Sequence, residues 1–136
     1  MKAKAIINHP ALRWGITTGY AAAIATLSLL PGRTARKLAL PLPHFDKLAH
    51  GIMHGGFALL LCWALQIKIH RTSRMLTALA ISIAYGIAME IGQNTLKIDR
   101  TFSWNDIAAN TCGVIVALVL VALYTRTTRR DKTGVK

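Results

Sequence analysis

Residues 89–113 read MEIGQNTLKIDRTFSWNDIAANTCG, a polar stretch in a chain that is otherwise strongly apolar. The stretch holds Glu90, Asp99 and Asp106, while the whole chain has only five acidic residues. Long runs of Ala, Ile, Leu and Val stand on both sides of it. Because the scarce acids gather where two apolar runs meet, this stretch is the first candidate for a functional site.

The composition favours an integral membrane protein. Of the 136 residues, 53% are hydrophobic and 16% are charged, against about a quarter charged in ordinary soluble domains. The mean hydropathy is +0.40. A soluble domain of this length has too much surface to hide so much apolar material, and the length itself suggests one domain.

The apolar residues form four blocks, each close to the roughly 17–25 residues that cross a bilayer. They predict spans near residues 14–30, 48–69, 75–92 and 106–125. We therefore predict an all-α fold, a polytopic bundle of four transmembrane helices that forms a single domain over residues 1–136. The segment between the first two spans holds three of the chain's four prolines, so we expect it to be irregular or a short interfacial helix.

The basic residues orient the predicted bundle, since Lys and Arg are enriched in cytoplasmic loops. Four spans place both termini on one side, and the larger group of basic residues falls there: Lys2, Lys4, Arg13, Lys68, Arg71, Arg74, Arg126, Arg129, Arg130, Lys132 and Lys136. A smaller group falls on the other side: Arg33, Arg36, Lys37, Lys47, Lys97 and Arg100. We predict cytoplasmic termini, a basic cytoplasmic tail over residues 126–136, and a polar stretch that faces outward.

The net charge of +12 raises the alternative of a nucleic-acid-binding protein. Such a protein gathers Lys and Arg on one helix face or in a basic arm, with aromatic residues between them. Here the basic residues lie in the gaps between apolar runs. We therefore predict the lipid bilayer as the partner and no nucleic acid.

Polar residues recur at helical spacing at the outer ends of three predicted spans. They are three or four residues apart, which places each set on one helix face: Asp46, His50 and His54; Glu90 and Gln93; Asp106, Asn110 and Gly113. Ionisable groups inside a membrane usually face a bundle interior or a wet cavity. The three faces therefore predict a polar pocket that opens outward.

Several of these residues have a purely structural interpretation. Asp46 follows a proline-rich segment and suits an N-cap, while Ser103 and Asp106 fit a capping box. Asn110 suits an interhelical hydrogen bond and Gly113 a close helix contact. Lys97 and Arg100 could serve only to neutralise nearby acids, and His54 is interpreted as a hydrogen-bonded packing residue.

Capping does not explain His50 and Glu90, which lie inside their predicted helices. A buried Glu close to a His can act as a general acid–base pair, so these two are the candidate catalytic residues. Together with Asp46 or Asp106 they could instead hold a divalent metal. The sequence carries no metal-binding signature of known strength, so we predict no metal and no cofactor.

A fixed order of charged and polar residues runs through the last three predicted spans: Asp46-Lys47-x-x-His50, then Glu90-x-x-Gln93, then Arg100-x-x-Ser103-x-x-Asp106-x-x-x-Asn110-x-x-Gly113. This order resembles the VanZ-like family of small bacterial membrane proteins, and the resemblance covers residues 46–113. It implies a multi-pass protein of the bacterial plasma (inner) membrane with a role in the cell envelope. It does not imply a molecular activity.

Three functions stay open. The residues that line the predicted pocket suit a binding protein of the cell envelope: Asp46, Lys47, Gln93, Arg100, Ser103, Asp106 and Asn110. They also suit a membrane-embedded enzyme acting on an envelope lipid or lipid-linked precursor, in which Arg100 and Lys47 hold a phosphate and His50 and Glu90 move protons. A small transporter is the third, although transporters place charges nearer the bilayer midplane. Association into a homo-oligomer also stays open.

Overall fold

The computed structural model describes residues 7–67 and 70–133, of which 67 and 127–133 are described by their backbone alone. This part of the chain forms four long α-helices, one short α-helix and no strand. They are α1 Pro10–Ser28, α2 Gly32–Leu38, α3 Phe45–Ala64, α4 Arg71–Thr95 and α5 Trp104–Thr133. A 3₁₀ turn over Leu65–Ile67 follows α3. The predicted all-α fold is confirmed.

Proline sets two of the helix boundaries. Pro10 occupies the start of α1, where its missing N–H is not needed and its fixed φ suits a helix. Pro31 precedes α2, and Pro41 and Pro43 lie in the segment after it. The proline-rich connection thus contains a short helix, one of the two forms predicted for it.

Two helices among the described residues are long and apolar enough to cross a membrane: Arg71–Thr95 and Trp104–Arg126. Helices α1 and α3 have 19 and 20 residues and are not among these two. The four-span arrangement and the orientation of the termini stay predictions. Four of the lysines used to orient the chain lie outside the described residues: Lys2, Lys4, Lys68 and Lys136. Positions 68–69 of the second predicted span also lie outside them.

Helix α3 lies at the centre of the bundle and contacts α1, α4 and α5. The buried core runs along its inner face and takes side chains from all four long helices: Ile24, Phe57, Ala58, Leu61, Cys62, Ala78, Val114 and Leu118. The N-terminal half of α3 lies beside the end of α4 and the start of α5. Polar residues of three helices therefore meet at one end of the bundle.

Glycine lets α3 and α5 approach closely at that end. A Cβ atom on Gly113 would overlap the backbone of Gly51, and one on Gly55 would lie 2.9 Å from the carbonyl oxygen of Gly113. Only glycine permits such backbone contact, so the prediction of close packing at Gly113 is confirmed. The contact sets the depth at which His50, the neighbour of Gly51, meets α5.

At the opposite end of the bundle, Arg13 is buried, with 4% of its surface exposed. Its Nη1 donates a hydrogen bond to the carbonyl oxygen of Trp63 at 2.9 Å, and its guanidinium lies 5.2 Å from the centre of the Trp63 ring. The charge pattern had assigned Arg13 to a basic flank. The structure shows that it fastens the start of α1 to the end of α3.

Candidate functional site

A group of polar side chains occupies the end of the bundle where α4 ends and α5 begins. We call it the polar cluster, and its members are Lys47, His50, Glu90, Ser103, Asp106 and Asn110. Glu90 is fully buried, and His50, Asp106 and Asn110 are 4%, 9% and 2% exposed. The cluster draws on α3, α4 and α5, as the helical spacing predicted.

Glu90 binds the N-terminus of α5. The backbone amide of Ser103 donates to Glu90 Oε2 at 3.0 Å, and the amide of Asp106 donates to Ser103 Oγ at 3.3 Å. The first amides of a helix have no partner within the helix. Ser103 therefore caps α5 as predicted, but its own amide is bound by Glu90 from another helix rather than by Asp106.

Asp106 is free of that capping role because its carboxylate pairs with Lys47. The ammonium of Lys47 contacts Asp106 Oδ1 and lies 2.7 Å from Asp46 Oδ2, so it bridges two acids. The prediction that Asp46 caps α3 is wrong, since α3 begins at Phe45 and His44 holds the cap position. The hydrogen bond from Lys47 holds the pKa of Asp46 below its ordinary value.

His50 is oriented by Asn110. Nδ1 of His50 lies 3.1 Å from Asn110 Oδ1. An amide oxygen only accepts hydrogen bonds, so this contact requires the hydrogen on Nδ1 and leaves Nε2 to face other groups. One ring nitrogen of His50 and one oxygen each of Glu90 and Asp106 all lie within 4.8 Å of one another.

Several buried polar atoms near this point have no hydrogen-bond partner among the described residues: Glu90 Oε1, Asn110 Nδ2, Ser82 Oγ and both ring nitrogens of His54. A buried polar atom without a partner is costly, and such atoms are few in native proteins. His54 packs as predicted, 6.1 Å from Tyr85 between ring centroids, but the predicted hydrogen bond is not found there. Glu90 Oε1 is therefore available to a ligand.

Two adjacent cavities open beside the cluster, with α2 over both. One, of about 280 Å³, has mainly apolar walls from α1, α2 and α3 and is also lined by Asp46, His50 and Arg100. The other, of about 440 Å³, has mixed polar and apolar walls, with two arginines and three acids among its lining residues: Arg36, Arg100, Asp46, Asp99 and Asp106. Asp46 and Arg100 line both cavities, so a more polar compartment adjoins an apolar one.

Gln93 and Arg100 share a partner that the sequence did not indicate. Gln93 Nε2 donates to the carbonyl oxygen of Ser28 at 2.9 Å, and Arg100 Nη1 donates to the same oxygen at 3.0 Å. Ser28 ends α1, where carbonyl groups lack partners within the helix. Asp99 pairs with Arg33 at 3.5 Å, rather than with the predicted Lys97 or Arg100.

The described residues thus form a helical bundle of the membrane-protein class. Two of its helices are able to cross a membrane, and a buried cluster of one histidine and two carboxylates lies at one end. Residues 7–125 match the model of the VanZ/LLP1 family, and the chain belongs to that family. The match extends the resemblance seen in residues 46–113 to both flanking segments.

An uncharacterised protein of Schizosaccharomyces pombe is 35% identical over 86 residues, which are 63% of this chain and 52% of that protein. This chain thus spans about half the length of the curated relative it matches. Since that relative is fungal, a bacterial source stays a prediction. No solved structure matches the chain.

Proposed function

We propose that this VanZ-family chain is a multi-pass plasma-membrane protein whose outward-facing pocket binds a phosphate-bearing lipid of the cell envelope. Membership of the family and the two apolar helices support a membrane location. The charge asymmetry of the sequence supports four spans with both termini in the cytoplasm. In this arrangement the polar cluster lies at the outer leaflet.

The observation that carries the proposal is the pair of adjacent cavities under α2. A lipid has an anionic headgroup joined to apolar chains, and it needs a polar compartment next to an apolar one. The cavity of about 440 Å³ supplies the first, and the cavity of about 280 Å³ supplies the second. Arg100 lines both, at the position where a phosphate would join the two parts of the ligand.

Two arginines suit the phosphate better than Lys47 does. Arg100 lines the polar cavity together with the exposed Arg36, and guanidinium groups bind phosphate through paired hydrogen bonds. Lys47 already bridges Asp46 and Asp106, so much of its charge is engaged. The role of Lys47 is therefore to position Asp106 rather than to bind the phosphate itself.

The closeness of His50 and Glu90 favours a second candidate function, an enzyme acting on the bound lipid. Their reactive atoms lie within 4.8 Å, and Asn110 fixes the hydrogen of His50 on Nδ1. His50 Nε2 would accept a proton from a nucleophile, the role of a general base. Under this function, Glu90→Gln abolishes lipid turnover and leaves lipid binding intact.

Binding is tested by native mass spectrometry of the protein released from nanodiscs that contain phosphatidic acid and phosphatidylcholine. We expect phosphatidic acid to remain on the wild-type protein and to be lost from Arg100→Gln. Arg33→Gln is the matched control, because Arg33 pairs with Asp99 at the surface and has an 84% exposed side chain. Equal retention of phosphatidic acid by the wild type and Arg100→Gln would rule the proposal out.

A further inference from the structure

We propose that His50, Glu90 and Asp106 form a binding site for a divalent cation such as Zn²⁺ or Mn²⁺. This inference goes beyond lipid binding, and it can fail while lipid binding holds. One imidazole nitrogen and two carboxylate oxygens are a donor set that both ions accept. The three atoms come from α3, α4 and α5, so an ion held between them would join three helices.

The geometry is close to that of an occupied site. The three donor atoms lie within 4.8 Å of one another. Ligand atoms that each bind one tetrahedral ion at about 2.1 Å lie about 3.4 Å from one another. A contraction of up to about 1.4 Å therefore brings the three atoms into bonding positions, and water fills the remaining position on the ion.

Glu90 provides independent support for the site. It is fully buried, it forms no ion pair among the described residues, and its Oε1 has no hydrogen-bond partner there. A buried carboxyl group is either protonated or paired with a charge or a metal. A cation bound to Oε1 supplies that pairing to the ionised form and leaves Oε2 on the amide of Ser103.

Each candidate ligand is held by a second residue, as metal ligands usually are. Asn110 receives the Nδ1 hydrogen of His50, which frees Nε2 for coordination. The amide of Ser103 holds Glu90. Lys47 contacts Asp106 and gives up this contact when an ion binds. The contacts of His50 and Glu90 keep these two side chains close to each other before that happens.

Lys47 competes with the cation for Asp106. The ammonium also lies 2.7 Å from Asp46 Oδ2, so it has a second partner when an ion takes its place at Asp106. The site can therefore exchange one positive charge for another without leaving a lysine unpaired. Competition of this kind makes a sharp test, because removal of Lys47 strengthens binding instead of weakening it.

The test is isothermal titration of tag-free, chelator-treated full-length protein in detergent, with Zn²⁺ and Mn²⁺ in separate runs and no added lipid. We expect one ion per chain, and an affinity at least about tenfold lower in Glu90→Gln. Gln keeps an oxygen for the amide of Ser103, so this variant should fold. Asp99→Asn is the matched control, since it alters an exposed acid outside the cluster and should bind like the wild type.

Three results would overturn the proposal. They are the absence of saturable binding of either ion, equal affinities in the wild type and Glu90→Gln, and a loss of affinity in Asp99→Asn as large as that in Glu90→Gln. Lys47→Met is an additional variant that keeps all three ligands. We expect it to bind the cation more tightly than the wild type, and unchanged or weaker binding would contradict the assignment of Asp106 as a ligand.

Discussion

Glu90 Oε2 accepts a hydrogen bond at 3.0 Å from the backbone amide of Ser103, so a side chain of α4 binds the residue that caps the next helix. Between these two residues on the chain, Arg100 binds the end of α1, and the carbonyl oxygen of Ile98 accepts a hydrogen bond from the amide of Gly32 in α2. The connection between α4 and α5 is thereby attached to several parts of the bundle. One carboxyl group thus serves the fold through Oε2 and remains open to chemistry through Oε1.

Replacement of Glu90 by alanine should lower the free energy of unfolding by about 1–2 kcal/mol, because the amide of Ser103 loses its acceptor. Glu90→Gln keeps an acceptor and should be closer to the wild type. Thermal unfolding in detergent, followed by circular dichroism, measures both. If the alanine variant is as stable as the wild type, the cap contributes nothing to the fold.

Asn110→Leu should destabilise the protein by about 1–3 kcal/mol, because it leaves the buried Nδ1 hydrogen of His50 without an acceptor. Asn110→Asp keeps an oxygen at the same position and serves as the control. A double-mutant cycle with His50→Phe isolates the contact. Additive losses in that cycle would show that the two side chains do not depend on each other.

Gly113→Ala should cost at least about 1–3 kcal/mol, since the new methyl group enters the backbone of Gly51 and overpacking of this kind is expensive. Gly15→Ala is the matched control. A Cβ atom at Gly15 meets nothing within 4 Å, so this change should be neutral or stabilising by up to about 1 kcal/mol. Similar melting temperatures for the two variants would contradict the close contact of α3 and α5.

Arg13→Gln should lower the free energy of unfolding by about 1.5–3 kcal/mol, the usual contribution of a hydrogen bond to a charged group. Arg33→Gln removes an arginine whose side chain is 84% exposed, and surface ion pairs contribute only about 0–1 kcal/mol. Chemical denaturation of both variants in the same detergent provides the comparison. Equal losses would mean that burial of Arg13 adds no stability.

The periodic features of the fold were predictable from the sequence. Helical spacing placed His50, Glu90, Asp106 and Asn110 on inward faces at similar depth, and the structure brings their side chains together. The close contact at Gly113 was predicted for the same reason, since a glycine three residues from Asn110 lies on the same helix face. Such inferences need only the geometry of a single helix and the rule that membrane helices bury polar groups.

The errors arose where a contact depends on loops or on helix ends. Asp46 was expected to cap α3, but His44 holds that position and the helix begins two residues earlier than expected, within the usual uncertainty of one or two residues for such boundaries. The bond between Glu90 and Ser103 depends on the path of residues 96–103, which carries no periodic signal. Arg13 was assigned to a flank because nothing in its neighbourhood reveals the carbonyl oxygen of Trp63.

The position of Arg13 has a consequence for biosynthesis. Two of its partners are local, the carbonyl oxygen of Ile7 and Oδ1 of Asn8. The third, the carbonyl oxygen of Trp63, belongs to a residue 50 positions later in the chain, so α1 emerges from the ribosome well before that partner exists. A buried charge needs all of its partners, and the packing of α1 is therefore complete only after α3 has been made.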